Sequence, residues 1–257
     1  MVHNVAVRKG RRFLIFVGTA LVIVGSILII LPIVAKSLNY HNASNYTRQM
    51  ETVIKIPSAK EYEACDYTKM PVAATVTYTD EQLEQAQLDQ SLFDELLGLG
   101  DALTWEQQDL SDSPTDMQAN TYILAIPSID LEISAIRCET FSSIYHTMRL
   151  GAAIFPKAPE PNEIGNICVS AHRTGSRDYF HDLDQLSIGD ELYLYTAELG
   201  SYKYEVVKVG VIAANDWSVA GQTDYPVITL ISCQAYQGVS HGRRIMVRAK
   251  LVAVAAP

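Results

Sequence analysis

Three polar side chains of catalytic type, a cysteine, an arginine and a histidine, each stand at the end of a predicted strand. Cys233 closes one apolar run, and Arg244 opens the next after the polar stretch 234–243. His172 directly follows a third apolar run. The thiolate is the reactive form of cysteine, and a neighbouring cation favours it. The combination therefore indicates nucleophilic chemistry at a thiol.

Alternation along the last two runs predicts which way these side chains point. The apolar half of the final run should face the core, so Arg244 should face outward or toward a groove. If the two runs are antiparallel neighbours, Cys233 and Arg244 come within roughly 5 Å of each other between backbones. Arg243 competes for the same role, because a one-residue slip in register would exchange the two arginines. The predicted faces are Val227, Thr229, Ile231 and Cys233 in the first run, and Arg244, Met246, Arg248 and Lys250 opposite Ile245, Val247, Ala249 and Leu251 in the second.

Each of these residues also has an ordinary structural interpretation. A lone cysteine at a strand end is more often a small buried hydrophobe, and a lone histidine such as His172 is more often a satisfied structural residue. His241, in the predicted loop, is typical of a solvated position. The functional interpretation depends on finding thiol, imidazole and guanidinium together.

Short runs of β-branched and aromatic residues, separated by turn residues, fill the chain from Thr121 to its end. Such a pattern with little helix indicates an all-β sandwich or barrel over residues 121–257. The predicted strands are Tyr122–Ile126, Glu132–Arg137, Asn166–Ala171, Glu191–Tyr195, Tyr202–Ile212, Val227–Ser232 and Arg244–Val252.

The N-terminal region has the pattern of a membrane anchor. Residues 1–12 form a basic leader, and residues 13–35 contain no charged side chain. A helix of that length reaches about 34 Å, enough for a hydrocarbon core of about 30 Å. The positive-inside rule then predicts a cytoplasmic N-terminus and an extracellular remainder. A cleaved signal peptide is the alternative, but the apolar region is long for one and no clear A-x-A site follows.

Residues 36–120 are predicted to be an extracellular, partly helical stalk, or else a lid over the groove of the following domain. They hold 5 basic and 15 acidic residues, so most of the chain's acidity lies here, and the four basic residues of the leader offset part of it to give the net charge of −9. One helix is predicted at Asp80–Leu97. Because the chain has no basic stripe to neutralise phosphates, a nucleic-acid partner is excluded.

The four cysteines do not form a recognisable framework. Besides Cys233, they are Cys65, Cys138 and Cys168. Two disulfides would be compatible with an extracellular domain, but no close spacing indicates a pairing and no CxxC pair indicates zinc. At least one cysteine is therefore a candidate free thiol.

These motifs together resemble the sortases, cysteine transpeptidases of the Gram-positive cell surface. The family's TLxTC motif corresponds to Thr229–Cys233, with Ser232 in place of the usual threonine. Its histidine motif corresponds to Ala171–Arg173, with alanine in place of the common glycine, and its arginine before an apolar strand to Arg244–Val247. The resemblance covers residues 121–252, and an uncleaved N-terminal anchor is common in the family.

The resemblance implies a closed β-barrel of about eight strands whose groove binds an LPxTG-like sorting signal of a secreted protein. Cys233 would attack the carbonyl of the signal's threonine, His172 would act as general acid and then base, and Arg244 would bind the substrate or the oxyanion. An amine acceptor in peptidoglycan or on a pilin would resolve the thioester. The residues expected to contact the substrate beside the nucleophile are Thr229, Ile231 and Ser232.

No cofactor is predicted. Calcium stimulates some sortases, but the acidic residues near the barrel form no recognisable calcium loop; they are Asp182, Asp184, Asp190 and Glu191. The class within the family stays open, since residues 36–120 lack the DPW-like or DPF-like tripeptide of lid-bearing members. The alternative is a catalytically inactive, membrane-anchored barrel that binds a peptide or wall component, suggested by the departures at Ala171 and Ser232.

Overall fold

A computed structural model gives the fold. It describes residues 17, 19, 21–27, 29–30, 33–34, 45–52, 54, 61–73, 120–174, 178–198, 200–236 and 239–256. The described residues of the predicted anchor are helical. Within the described part of the chain, no helix is both long enough and apolar enough to span a bilayer. The predicted anchor therefore stays a prediction.

Eight strands close into a β-barrel, and a ninth, two-residue strand extends its edge. Around the barrel the order is β9, β7, β6, β2, β3, β4, β5, β8 and back to β9, while β1 pairs with the far end of β9. Two neighbouring pairs, β3 with β4 and β5 with β8, are parallel, and the others are antiparallel. The strands are β1 Glu63–Ala64, β2 Thr121–Ile126, β3 Leu131–Arg137, β4 Ala152–Ile154, β5 Asn166–Ser170, β6 Glu191–Tyr195, β7 Ser201–Ala213, β8 Val227–Tyr236 and β9 Val239–Ala255.

The predicted all-β barrel of about eight strands is confirmed. The first five predicted strands lie within one residue of β2, β3, β5, β6 and β7. The sequence analysis did not predict the barrel strand β4, because its three residues are too few to show a periodicity. The predicted polar loop 234–243 is wrong for most of its length, because β8 continues to Tyr236 and β9 begins at Val239. Backbone pairing of Ala235 with Ser240 and of Tyr236 with Val239 extends the hairpin beyond the barrel.

The barrel wall has an apolar core on each face. On β9, the set from Ile245 to Leu251 packs inside the barrel as alternation predicted. Met246, on the outer face, belongs to a second cluster with Ile231 of β8 and Cys168 of β5. Short helices cover this outer cluster: α2 (Ile144–Thr147), the preceding 3-10 turn Phe141–Ser143, and a 3-10 helix at Trp217–Ala220. The outer face of β5, β8 and β9 is therefore buried although it lies outside the barrel.

Two parts of the predicted stalk pack against the barrel. Residues 45–52 form a helix, α1, which buries Tyr46 and Met50 against Ile123 of β2. The Tyr46 hydroxyl lies 3.2 Å from the Thr121 hydroxyl. Over these residues the chain is a docked element rather than a free spacer, because the apolar side of α1 matches an apolar strip of the wall.

The second docked part is the segment 61–73. Its strand β1 pairs with Ala253 and Val254 of β9, and the Tyr67 hydroxyl donates a hydrogen bond to the Leu251 carbonyl. The amide of Ala73 donates to the carbonyl of Ile164, 3.1 Å away. The predicted helix at 80–97 lies outside the described residues.

The docking of α1 can be tested with Met50→Ala. Because Met50 is buried, the substitution should lower the free energy of unfolding by about 2–4 kcal/mol through lost burial and a residual cavity. Gln49→Ala, at an exposed position of the same helix, is the matched control and should change it by no more than about 0.5 kcal/mol. Urea unfolding of the full chain, followed by circular dichroism, measures both, and equal midpoints for the two variants would contradict the docking.

Candidate active site

The register of the β8–β9 hairpin places Cys233 directly opposite Arg244. Opposed residues in an antiparallel pair have Cα atoms about 4.5–5.5 Å apart. Arg244 is 6% exposed, whereas Arg243 is exposed and faces Ala213 of β7. Arg244 rather than Arg243 is thus the buried arginine opposite Cys233, as predicted for an antiparallel pair of strands, and its catalytic role stays a prediction.

His172 lies at the same level on the other side of Cys233. Strand β5 runs parallel to β8 with Ser170 beside Ile231, so extending that register by two residues brings His172 beside Cys233. Two hydrogen bonds support the extension: the Ala171 amide donates to the Ile231 carbonyl at 3.4 Å, and the Ser232 hydroxyl donates to the Ala171 carbonyl at 2.9 Å. The order across the wall is therefore histidine, cysteine, arginine.

All three side chains occupy the outer face of the wall. Ala171 and Ile245 belong to the core inside the barrel, so their neighbours His172 and Arg244 point outward. Ile231 belongs to the outer cluster, and Cys233, two residues further along β8, shares its face. Adjacent strands are about 4.8 Å apart. One row across β5, β8 and β9 thus brings imidazole, thiol and guanidinium together.

A bulge follows this row immediately. After the pair Cys233–Arg244, the next paired residues are Ala235 and Ser240, so two steps on β8 oppose four steps on β9. Gly242, within the bulge, has a φ of +61°, which suits a residue without a side chain. Bulges are common beside active sites because they redirect the strand and its side chains.

Two aromatic rings flank the row, one at each end. The ring centroid of Tyr145, from α2, lies 5.7 Å from that of His172, with an interplanar angle of 65°. The guanidinium carbon of Arg244 lies 4.3 Å from the ring centroid of Trp217. The sequence analysis missed both rings. The sequence clue to Trp217 was the preceding Asp216, a residue type that often caps a helix. In the structure the Asp216 carboxylate caps the 3-10 helix by accepting from the Ser218 amide.

A buried hydrogen-bond network lies on the same face of the wall, four residues from the row along β8. The Thr229 hydroxyl donates to the Asn166 side chain at 2.7 Å and accepts from Arg248 Nε at 3.0 Å. Asn166 Nδ2 and Arg248 Nη2 both donate to the carbonyl of Val219, at 2.8 and 2.7 Å. The network therefore joins β5, β8 and β9 to the helix that carries Trp217.

The three residues predicted to contact the substrate lie inside the wall. Thr229, Ile231 and Ser232 are each 1% exposed or less. The two hydroxyls make the hydrogen bonds described above, and Ile231 packs in the outer cluster. In the structure these three residues support the strands that carry Cys233 and His172. Contact of their side chains with the substrate stays a prediction.

The other three cysteines have environments that oppose thiolate formation. All four cysteines lie in the described part of the chain, and none forms a disulfide. Burial raises the pKa of Cys168 to about 12 and also raises the pKa of Cys138. The pKa of Cys65 is raised by partial burial and by the Asp66 carboxylate. Cys233 is half-buried and stands between an imidazole and a guanidinium, which makes it the candidate reactive thiol.

The loop after His172 is tied down by its own side chains. Arg173 Nη2 forms an ion pair with Asp184 at 2.5 Å, and its Nε donates to the His181 carbonyl at 3.0 Å. The Phe180 amide donates to the His172 carbonyl at 2.9 Å. Arg173 and His181 thus hold the loop rather than enter the row. His241 lies in β9, but its side chain is outside the described residues.

The described parts of residues 36–120 lie away from the row. Helix α1 packs on β2 and β3, and β2 stands opposite β8 in the closed order of eight strands. The pairings make β2 parallel to β8, and α1 contacts the start of β2 whereas Cys233 lies toward the end of β8. The segment 61–73 contacts the far end of β9. A lid over Cys233 therefore stays a prediction for the remaining residues.

The described residues contain no group of three or more histidine, cysteine, aspartate or glutamate side chains arranged to hold a metal ion. The sequence-based expectation that no cofactor is needed remains a prediction.

Alkylation kinetics should separate Cys233 from the buried thiols. In the folded full chain near pH 7.5, iodoacetamide should modify Cys168 at least on the order of 10²-fold more slowly than Cys233, because a thiol with a pKa of about 12 is almost wholly protonated there. Peptide mapping by mass spectrometry gives the rate at each site. Urea-unfolded protein is the control, in which all four should react alike; equal rates in the folded chain would contradict the assignment.

The hydroxyl at position 232 should contribute to stability. Ser232→Ala leaves the buried Ala171 carbonyl without its donor and should lower the free energy of unfolding by about 0.5–1.5 kcal/mol. Ser232→Thr, which keeps the hydroxyl, is the matched control and should retain most of that stability. Chemical denaturation compares the variants, and an alanine variant as stable as wild type would show that the bond contributes nothing.

Comparison with known proteins gives a family match over the barrel. Residues 124–252 match the Sortase domain. Sortase A of Bacillus anthracis is 28% identical over 130 residues, which are 50% of this chain and 58% of that protein. This chain thus spans somewhat more than half of that relative's length.

Solved sortase structures are similar in part. The sortase C-3 structure from Streptococcus pneumoniae has 23% identity and a TM-score of 0.48, covering 70% of this chain and 87% of that one. The sortase D5 transpeptidase of Clostridium perfringens has 25% identity and a TM-score of 0.44, covering 51% and 78%. Because both TM-scores are below 0.5, the assignment depends on the domain match, which spans half of the chain. On that match, the chain belongs to the sortase family.

Proposed function

We propose that this protein is a cysteine transpeptidase that cleaves an LPxTG-like sorting signal and transfers the acyl fragment to an amine. The observation that carries the proposal is the register of the wall, in which Cys233 stands directly opposite Arg244 and level with His172. Family membership supports the reaction type, since sortases as a family are cysteine transpeptidases.

In the first half-reaction, Cys233 Sγ attacks the carbonyl carbon of the signal's threonine as the thiolate, while His172 carries the proton. The carbonyl oxygen becomes an oxyanion, and the N–H donors of Arg244 stabilise it. His172 gives a proton to the departing amine as the C–N bond breaks. The products are a thioester on Cys233 and a free amino terminus on the released fragment.

In the second half-reaction, an acceptor amine attacks the thioester. His172 removes a proton from that amine, the new C–N bond forms, and the C–S bond breaks to release Cys233 as the thiolate beside the reprotonated His172. The proton count closes over the cycle, because the proton given to the leaving amine is recovered from the incoming one. No cofactor is required for either step.

Burial of the row supports this mechanism. His172 and Arg244 are each 6% exposed, so their hydrogen bonds and charge act in surroundings of low dielectric constant, where they are stronger than in water. Each ring or guanidinium also packs against an aromatic side chain, which restricts its orientation. Little reorganisation is then needed when the oxyanion forms.

The two departures from the family pattern fit an active site, which weighs against the inactive barrel. Ala171 lies in the core inside the barrel, where its methyl group is fully buried. Ser232 keeps a hydroxyl, and that hydroxyl holds the residue preceding His172. Neither change removes a group that the reaction uses.

We further propose that residues 13–35 anchor the enzyme in the cell membrane, with the N-terminus in the cytoplasm and the barrel outside. The support is the uncharged apolar stretch and the four basic residues before it, Arg8, Lys9, Arg11 and Arg12. The partners proposed from the sequence are the sorting signals of secreted proteins and an amine in peptidoglycan or on a pilin.

Turnover of peptides tests the reaction and the roles together. The full chain in mild detergent, given a panel of LPxTG-type peptides and an amine acceptor, should form the transpeptidation product detected by mass spectrometry. Cys233→Ala should abolish the product, and His172→Ala and Arg244→Ala should each lower kcat/KM by roughly 10²–10⁴-fold.

The matched control is Arg243→Ala, which removes an exposed arginine beside the buried one. It should retain activity within a few-fold of wild type. Loss as large as that of Arg244→Ala would show that the wrong arginine has been assigned. Absence of product from wild type across the whole panel would favour the inactive binding barrel.

A further inference from the structure

The guanidinium of Arg244 lies against the face of Trp217. Its central carbon is 4.3 Å from the indole centroid, well inside the roughly 6 Å range of a cation–π contact. Arg244 is almost completely buried, so this contact acts with little competition from water. The indole face is therefore one partner of this buried cation.

The choice of tryptophan is itself informative. The indole Nε1 is buried and has no hydrogen-bond partner among the described residues. An unpaired buried donor is destabilising, and a phenylalanine would fill much of the same space without one. Phe155, whose ring centroid lies 6.2 Å from that of Trp217, shows that such a ring is tolerated in this cluster. Indole has the strongest cation–π face of the natural side chains, which offsets the unpaired N–H.

The 3-10 helix that carries Trp217 is held in place by several hydrogen bonds. Asp216 caps it through the Ser218 amide and hydroxyl, at 3.2 and 2.6 Å. Its Val219 carbonyl accepts from both Asn166 and Arg248. These bonds fix the indole relative to the strands that carry Cys233 and Arg244.

We propose that Trp217 is a positioning residue for Arg244, a role that rests on the transpeptidase function proposed above. Stacking on the ring face uses none of the five N–H donors of the guanidinium, whose plane is thereby fixed. Because Cys233 lies opposite Arg244 across the strand pair, fixing the guanidinium plane fixes the direction of its N–H donors relative to the carbonyl that Cys233 attacks. Trp217 itself forms no bond to the reacting atoms and acts only through Arg244.

The sharpest test varies the ring's electrostatics at constant shape. Tryptophans with one, two and three fluorine atoms, introduced at position 217 by nonsense suppression, weaken the negative ring face stepwise. The logarithm of kcat/KM for peptide turnover should fall steadily with fluorine number, to on the order of a tenfold loss over the series. The loss should appear in kcat, because Arg244 acts on the oxyanion. The same series at Trp105, the other tryptophan, is the matched control for incorporation effects.

A residue that only fills space would give a flat series, since fluorine hardly changes the ring's size, and a flat series overturns the proposal. Substitution gives the complementary measurement. Trp217→Phe should retain part of the activity, and Trp217→Leu should lose more. If Trp217→Leu does not fold, the fluorine series alone decides.

A readout independent of turnover separates this proposal from the proposed function. In the ¹⁵N spectrum of arginine-labelled full chain, the Nε–H resonance of Arg244, identified by its loss in Arg244→Lys, should carry a ring-current shift that Trp217→Phe changes. An inactive wild type with this shift would reject the transpeptidase and, with it, the catalytic purpose of the stacking. An active wild type with a flat fluorine series and no such shift would reject the positioning role alone.

Discussion

The register between β8 and β9 is the constraint on which the rest of the structure depends. Because side chains alternate along a strand, a slip of one residue would place Arg243 opposite Cys233 and turn the apolar set of β9 out of the barrel. Burial of that apolar set therefore fixes the position of Arg244, which is not part of the core inside the barrel. Thr229 and Arg248 are paired in the same register, four residues from the row. The hydrogen bond between their side chains further stabilises this alignment.

A second consequence concerns where the site can be. The outer wall of β5, β8 and β9 has its own apolar cluster, covered by short helices on either side. His172 and Arg244 are buried at the edge of that cluster rather than in the barrel. Each helix contributes one ring, Tyr145 to the histidine and Trp217 to the arginine. The same burial that stabilises the outer cluster thus gives the row its low-polarity surroundings.

Much of this arrangement could be predicted from sequence because it depends on local periodicity. The alternation after Arg244 predicted its orientation, and the assumption that the last two runs are antiparallel neighbours predicted its proximity to Cys233. The parallel pairing of β5 with β8, which brings His172 into line, is a long-range contact that alternation does not encode. The extension of the hairpin to Tyr236 and Val239 was missed because its residues look like a loop, and backbone pairing overrides that composition.

The docked pre-barrel segments and the aromatic supports were missed for a related reason. Helix α1 has few apolar residues, and its two buried polar contacts, Tyr46 with Thr121 and Thr47 with Ser134, look like ordinary solvated positions in sequence. Trp217 and Tyr145 stand far along the chain from the residues they touch. Only the closure of the barrel brings them to the ends of the row.

The most direct test of the account is to locate the acyl group on the enzyme. The full chain would be mixed with a sorting-signal peptide, quenched in acid before an acceptor is added, digested and mapped by tandem mass spectrometry. The account predicts a hydroxylamine-sensitive thioester on Cys233. Acylation of Cys65, Cys138 or Cys168, or turnover without any cysteine adduct in a trapped sample, would contradict it.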